Sequence, residues 1–507
     1  MAAVGLEHRA SVLRNRLAYF LPLFDYLGAL FWVFGFVLLL PLAVQLYYWE
    51  AGAAEVPWWT YPVPAGAALV LGLALKRKLR WQPLDARRSM LLCVLGWIGV
   101  SAIAAIPFCF ALGTNYLDAL FESVSGFTTT GITMLTGLDG MPRSILFWRS
   151  LAQWLGGLGI LTFFLAVVVS AGGPAEGLFS AESHKIFSRR PAPGLFRTLR
   201  ILWGIYVLLT VLTAALLWLE GLSLYDAVSH AFTALSTGGY SPYDASIDHY
   251  RQAGYRHYVA IEYTVTFAMV LGGTNFFIHY RVLTGDGRAL WDNLEVRLWW
   301  LLLAGATALV MLDHFLAFGF EKVEETFRYA LFQVVAIATT TGFGTRDIAS
   351  DYFPALSKQI FLLLMVIGGC VGSTGGGVKV LRIGILLKMV VRQLRRVIYG
   401  RRVVAPVVVD GEVVSAEEVR RTSALFFAWI ALLALGGGAT ALVSRLGPLE
   451  SASGMFSALG NIGPCYIPLA KMVALDPLIK IVYIVGMLAG RLEILPVLLL
   501  FSRRAWR

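Results

Sequence analysis

Ala338-Thr339-Thr340-Thr341-Gly342-Phe343-Gly344-Thr345 is a polar, glycine-spaced turn set between two apolar runs. Taken singly, such a turn reads as an ordinary loop. It recurs, however. Gly131 stands in Thr129-Thr130-Gly131-Ile132, Gly238 in Ser236-Thr237-Gly238-Gly239, Gly342 in Thr340-Thr341-Gly342-Phe343 and Gly463 in Asn461-Ile462-Gly463-Pro464. Residues 131, 238, 342 and 463 are 107, 104 and 121 positions apart. A unit of about one hundred residues therefore repeats, and internal repetition decides architecture before any local detail does. The segment before each loop agrees. Residues 120–131 align without gaps on residues 331–342, and residues 227–235 and 452–460 are looser counterparts. Each is about ten residues long, too short to cross a bilayer but suited to a re-entrant half-helix.

Composition sets the class. Of 507 residues 58% are hydrophobic and only 14% charged, and the mean hydropathy is +0.71. A water-soluble domain could not hide that much apolar surface, so the chain reads as a multispanning membrane protein embedded in a lipid bilayer. Ten apolar runs are long enough to cross, at about twenty residues each. The first two, 27–46 and 61–75, have no loop between them. The other eight flank the loops in pairs: 90–112 and 144–170, 199–219 and 258–279, 298–318 and 359–388, 422–443 and 478–501. The predicted fold is an all-α membrane protein. Two N-terminal transmembrane helices occupy 1–88. Four repeats of helix, re-entrant pore helix, filter and helix follow at 89–200, 201–297, 298–421 and 422–507, arranged around one pore with pseudo-fourfold symmetry.

Charge placement gives orientation. Loop 76–88 holds Lys76, Arg77, Lys78, Arg80, Arg87 and Arg88, whereas 47–60 holds no basic residue. Basic loops stay on the cytoplasmic side, which puts both termini there. Lys388, Arg392, Arg395, Arg396, Arg401, Arg402, Arg420 and Arg421, with Arg503, Arg504 and Arg507, fall on the same side. The net charge of +11 is thus topology rather than a nucleic-acid surface. The loop side is acidic, with Asp118, Glu122, Asp226, Asp244, Asp248, Glu321, Glu324, Glu325, Asp347 and Asp351. Such a face raises local cation concentration or is simply solvated. His8, Arg9, Arg14 and Arg16 precede the first apolar run without a small-residue cleavage site, which reads as an uncleaved first helix. Cys93, Cys109, Cys370 and Cys465 have no disulfide or zinc spacing. No His-Glu-x-x-His, nucleophile elbow or histidine cluster suggests an enzyme.

The loops carry the chemistry. Thr340-Thr341-Gly342-Phe343-Gly344 is one aromatic exchange from the Thr-Val-Gly-Tyr-Gly loop whose carbonyls replace the water shell of a potassium ion. Glycine suits this task because a row of carbonyls aimed at one axis needs backbone angles that other residues resist. Four loops complete such a ring, and this chain carries four. The carbonyl ends of the half-helices, each about half a negative charge, favour a cation between them. A coupled secondary transporter also uses repeats and broken helices, with polar side chains at mid-membrane in paired halves; here there are glycine turns in four copies.

Two places break the rules of an apolar span. Gly368, Gly369, Gly372, Gly375, Gly376 and Gly377 fall within ten residues, followed by Lys379. Each glycine costs a helix interior about 1 kcal/mol, so this span is predicted to be interrupted. It is either a flexible obstruction inside the filter or a site of close small-residue packing. In Gly486-Met487-Leu488-Ala489-Gly490-Arg491, the arginine at mid-span must face a cavity or a partner. It acts as an electrostatic barrier to cations or pairs with a carboxylate or helix C-terminus.

These stretches together resemble the TrkH branch of the Trk/Ktr/HKT potassium-uptake superfamily. The likeness covers the four loops, Gln153-Trp154-Leu155-Gly156-Gly157-Leu158-Gly159, Gly372-Ser373-Thr374-Gly375-Gly376-Gly377-Val378-Lys379 and Gly490-Arg491-Leu492-Glu493-Ile494-Leu495-Pro496. The resemblance implies a potassium-uptake subunit of the bacterial inner membrane, a homodimer with one pore per protomer, gated by a cytoplasmic nucleotide-binding, TrkA-like ring. It needs no cofactor in this chain, with potassium as the transported ion. Thr129, Thr130, Gly131, Ser236, Thr237, Gly238, Thr340, Thr341, Gly342, Asn461, Ile462 and Gly463 would form the filter, holding K+ at their backbone carbonyls. The loop from Gly368 to Gly377 with Lys379 would be the gate, and Arg491 its companion across the pore. One departure is Cys465, where the family continues with glycine after the fourth loop's proline.

Overall fold

The computed structural model describes residues 2–50, 56–76, 84–159, 162, 195–399 and 406–506. Residues 160, 161 and 163–170 of the expected span 144–170 lie outside them, as do Arg77, Lys78, Arg80, Arg401, Arg402 and Arg507. The chain is built from helices because apolar segments in lipid must satisfy their backbone groups internally. The N-terminal segment forms α1 (Ala2–Val37), α2 (Leu40–Glu50) and α3 (Pro62–Leu75). α1 and α3 meet at small residues: a Cβ on Gly28 would lie 2.7 Å from the Gly72 carbonyl oxygen, the close approach that holds helices together in lipid.

The remainder runs α4 (Ala86–Ala104), α5 (Ile106–Leu112), α6 (Tyr116–Phe127), α7 (Arg143–Gly157), α8 (Leu195–Leu219), α9 (Leu224–Leu235), α10 (Tyr258–Gly273) and α11 (Phe276–Leu283). Then come α12 (Leu294–Phe318), α13 (Val323–Ala338), α14 (Ala355–Ile367), α15 (Val380–Tyr399), α16 (Ala416–Ser444), α17 (Pro448–Gly460), α18 (Pro477–Arg491) and α19 (Leu495–Phe501). Five stretches among the described residues are long and apolar enough to cross a membrane: Tyr19–Tyr48, Ala86–Leu112, Arg197–Leu219, Leu294–Phe318 and Ala416–Ser444.

Interruption is commoner than the sequence suggested. The expected break in 359–388 is present, between α14 and α15. Runs 258–279 and 478–501, read as continuous spans, are broken as well. α10 and α11 are bent by 104°: the Gly272-Gly273 pair ends the first, and the Asn275 side chain caps the second by accepting from the Phe277 amide at 2.8 Å. α18 stops at Arg491, where Glu493 and Ile494 adopt φ of 62° and 57°, and Pro496 opens α19. A left-handed backbone at two non-glycine residues cannot continue a helix.

The short helices α6, α9, α13 and α17 sit between their neighbours in sequence: α6 packs on α4 and α7, α9 on α8 and α10, α13 on α12 and α14, α17 on α16 and α18. The helix after each loop also packs on the next short helix, α7 on α9, α10 on α13, α14 on α17, and α18 back on α6. Lys480 of α18 and Asp118 of α6 close that last contact at 2.5 Å. Capping starts the short helices where burial begins: Asn115, Ser223 and Glu450 accept from the Asp118, Asp226 and Gly447 amides at 3.0 Å each.

One element departs from an all-α description. Val408–Val409 pairs antiparallel with Glu412–Val413, across Asp410 and Gly411 at φ 49° and 83°, the geometry of a two-residue Asp-Gly hairpin. Its Val407, Val409 and Val414 pack with Val371, Leu381 and Ile385, and Asp410 accepts from the Leu294 amide at 2.7 Å at the start of α12, beside the N-cap Asn293.

Candidate functional site

Each short helix runs directly into its loop, and the four loops share one backbone pattern. Thr129, Thr237, Thr340 and Asn461 have φ of 54°, 54°, 60° and 55°; two residues on, Gly131, Gly239, Gly342 and Gly463 have φ of 81°, 73°, 81° and 105°. The hydrogen bonds repeat too. The amides of Thr130, Gly238, Thr341 and Ile462 reach back to the carbonyls of Ser125, Thr233, Ala336 and Ser457 at 2.8, 2.9, 2.8 and 3.0 Å. This is the six-to-one closure that ends a helix on a left-handed residue. In the first and third loops a hydroxyl pair braces it: Thr128 to Thr130 at 2.7 Å, and Thr339 to Thr341 at 2.8 Å.

The pattern corrects one position. Spacing selected Gly238 as the glycine of the second loop, but Gly239 is in register with Gly131, Gly342 and Gly463. Gly238 matches Thr130, Thr341 and Ile462, and Thr237 matches Thr129, Thr340 and Asn461. Ser236 therefore stands one place before the pattern begins.

Contacts between loops run in a cycle. A Cβ on Gly131 would overlap the Gly238 carbonyl oxygen, on Gly239 that of Thr341, on Gly342 that of Ile462, and on Gly463 it would lie 3.0 Å from that of Thr130. Only glycine permits this approach at a positive φ. Asn461 adds a side-chain tie, its Nδ2 donating to Thr130 Oγ1 at 2.9 Å.

Behind the first two loops is a buried polar network that sequence reasoning did not foresee. Arg149 Nε pairs with Glu122 at 2.7 Å, the two side chains being 2% and 0% exposed. Glu122 also accepts from the Met134 amide at 2.8 Å, and Arg149 donates to the Ser241 carbonyl at 3.1 Å. The guanidinium lies 4.0 Å from the Tyr240 ring centroid, and the Tyr240 hydroxyl donates to the Glu122 and Ile132 carbonyls. Glu122 was read as one of many outer acids. The available signal was Arg149 and Gln153, four residues apart in an apolar run, where polar side chains need partners.

The glycine-rich segment 368–379 is irregular backbone laid against the loops. Thr374 Oγ1 donates to the Leu235 and Gly272 carbonyls at 2.9 and 3.0 Å, and the Gly376 amide donates to Thr340 Oγ1 at 2.7 Å. A Cβ on Gly375 would lie 2.9 Å from the Thr339 oxygen, and one on Gly376 would overlap that of Gly460. Gly368, Gly372 and Gly377 take φ of 72°, 73° and 77°, and Lys379, at 85°, is buried with its ammonium donating to the Gly375 carbonyl. Glu295 holds the Val371 amide at 2.6 Å. Arg491 completes the assembly: it donates to the Thr374 carbonyl at 2.5 Å, to Gly156 and Gly157 at 2.6 Å each, and to Thr129 Oγ1 at 3.2 Å. The two glycine carbonyls end α7, so the helix C-terminus pairing is present. Glu493 pairs instead with Arg382 at 2.6 Å. The segment and Arg491 between them therefore touch all four loop regions.

Comparison with known proteins fits this geometry. A family model described as TrkH, cation transport protein, matches residues 66–506. The chain belongs to the TrkH family. It is 33% identical over 495 residues to the Trk system potassium uptake protein TrkH of Salmonella typhimurium, covering 95% of this chain and 98% of that one. It is 29% identical over 490 residues to the Trk system potassium uptake protein TrkG of Escherichia coli, covering 95% and 97%. The crystal structure of the potassium transporter TrkH from Vibrio parahaemolyticus matches with a TM-score of 0.84 at 29% identity, over 96% of this chain and all of that one. TrkH-family membership places this chain among membrane ion transporters, not enzymes. Among the described residues no cluster of three or more His, Cys, Asp or Glu is placed to hold a metal ion.

Proposed function

We propose that this chain takes up potassium across the bacterial inner membrane through a filter of backbone carbonyls. The filter consists of Thr129-Thr130-Gly131, Thr237-Gly238-Gly239, Thr340-Thr341-Gly342 and Asn461-Ile462-Gly463. Four repeats, with boundaries near 89–200, 201–297, 298–421 and 422–507, surround one pore with pseudo-fourfold symmetry, and both termini are cytoplasmic. The observation that carries this reading is the cycle of glycine-to-carbonyl approaches, first loop to second, second to third, third to fourth and fourth to first. Carbonyls so arranged substitute for the water around a weakly hydrated cation. The four helix C-termini add negative potential at the same place.

Gly368 to Gly377, with Lys379 and Arg491, act as the gate: the segment lies against the loops, and the guanidinium opposes cation entry. The functional unit is a homodimer controlled by a cytoplasmic nucleotide-binding ring of the TrkA type. Cys465, beside Pro464, leaves the fourth filter loop its own backbone pattern intact. Radioactive rubidium uptake into proteoliposomes tests the function. Uptake competed by potassium and not by organic solutes is expected; uptake of an organic solute with no rubidium flux would point to a secondary transporter instead.

A further inference from the structure

The second loop differs from the others in where its side-chain volume comes from. At the position shared by Thr130, Gly238, Thr341 and Ile462, three loops supply a side chain and the second supplies none. The vacant volume is filled from a different element. Gln153, on α7 and fully buried, places its amide where a Gly238 side chain would stand: a Cβ there would overlap Gln153 Cδ and Oε1 and lie 2.8 Å from Nε2.

The amide is oriented by its partners. The Tyr240 amide donates to Gln153 Oε1 at 3.0 Å, which fixes which end is oxygen. Nε2 then faces the Gly238 carbonyl at 2.6 Å. That carbonyl belongs to the same row as those of Thr130, Thr341 and Ile462, each of which abuts the glycine of a neighbouring loop. Among the described residues no side-chain amide donates to the other three. A carbonyl oxygen that accepts an N–H has less negative potential left for an ion, and its direction is held.

We infer that Gln153 is a positioning residue for ion selectivity, setting the direction and field strength of the Gly238 carbonyl from outside the loop. The inference rests on the filter reading above. It assigns the second loop a donor-restrained carbonyl and makes the Gly238-Gly239 pair a consequence: the first glycine admits the amide, and the second takes the left-handed turn. Gln153 thereby contributes to discrimination between potassium and smaller, more tightly hydrated ions.

Two variants in proteoliposome flux assays test this, with potassium and sodium compared on monodisperse protein. Gln153→Met keeps the length and bulk of the side chain but removes the N–H donor to Gly238, along with the acceptor for Tyr240. The second variant combines Gly238→Thr with Gln153→Ala, giving the second loop the side chain that Thr130 and Thr341 provide; Gly238 is outside the left-handed region, so threonine suits its backbone. Both should fold. In both, the potassium-to-sodium flux ratio should fall by about fivefold, the order set by one hydrogen bond. Gly238→Thr alone should lose folded protein through collision with the Gln153 amide. A wild-type ratio in either folded variant overturns the inference. A wild-type protein without potassium-dependent flux would instead refute the filter reading and leave Gln153 without a filter to position.

Discussion

Replacing Arg491 by alanine separates its two roles. The guanidinium donates to Gly156, Gly157 and Thr129 near the first loop and to Thr374 on the glycine-rich segment. If the segment moves aside during conduction while the first loop stays, only the Thr374 contact is broken. A hydrogen bond to a charged group contributes about 1.5–3 kcal/mol net, and 1.4 kcal/mol is a tenfold change in an equilibrium. Arg491→Ala should therefore shift the balance toward the displaced segment by about 10- to 150-fold. On the gate reading it also removes a positive charge from the path of the ion. Rubidium uptake into proteoliposomes reads the effect as a raised initial rate, with size-exclusion profiles confirming the fold. Some loss of thermal stability accompanies it, because the α7 carbonyls lose their cation. A folded variant with unchanged flux and a lowered melting temperature would refute the gating role and leave Arg491 as a structural cap.

Deleting residues 372–377 should likewise raise rubidium flux, and an inactive but well-folded deletion would assign the segment to packing. Gly342→Ser should weaken discrimination between potassium and sodium, since its Cβ overlaps the Ile462 carbonyl; flux ratios on purified protein give the answer, and an unchanged ratio counts against the placement. Glu122→Gln should destabilise the protein by about 3–5 kcal/mol by stranding the buried Arg149 charge, seen as a lowered melting temperature, whereas Glu122→Gln with unchanged melting would mean that Arg149 finds another acceptor. Asp410→Ala should cost about 1 kcal/mol by removing the acceptor for the Leu294 amide, while Asn293 still caps α12, and because the hairpin packs on Val371 it should also change the potassium dependence of flux; a variant identical to wild type in both would detach the hairpin from the glycine-rich segment.

Much of the design was legible in the residues because it repeats. Residues 120–131 and 331–342 align without gaps, and their structures share even the threonine hydroxyl pairs. The glycine run at 368–377 announced its own break. The second loop was misplaced by one residue because Ser236-Thr237-Gly238-Gly239 offers two glycines, and spacing cannot tell a glycine needed for φ from one needed for volume. The breaks after Gly273 and Arg491 were hidden by apolar composition: hydropathy does not register a left-handed Glu493 or an Asn275 cap. The hairpin was missed although Asp410-Gly411 between valines is a strong turn signal, because its strands are two residues each, too short to show an alternating pattern. The Glu122–Arg149–Tyr240 network joins residues 27 to 118 positions apart, and single-sequence reading has no means of pairing them.

On the filter reading, four glycine loops of one chain share a single ion. Anomalous scattering from rubidium bound to the purified protein locates that ion directly. Density on an axis between the carbonyls of Thr130, Gly238, Thr341 and Ile462, displaced by potassium and not by sodium, is the predicted result. Rubidium bound elsewhere, with those four carbonyls empty at saturating concentration, would contradict it.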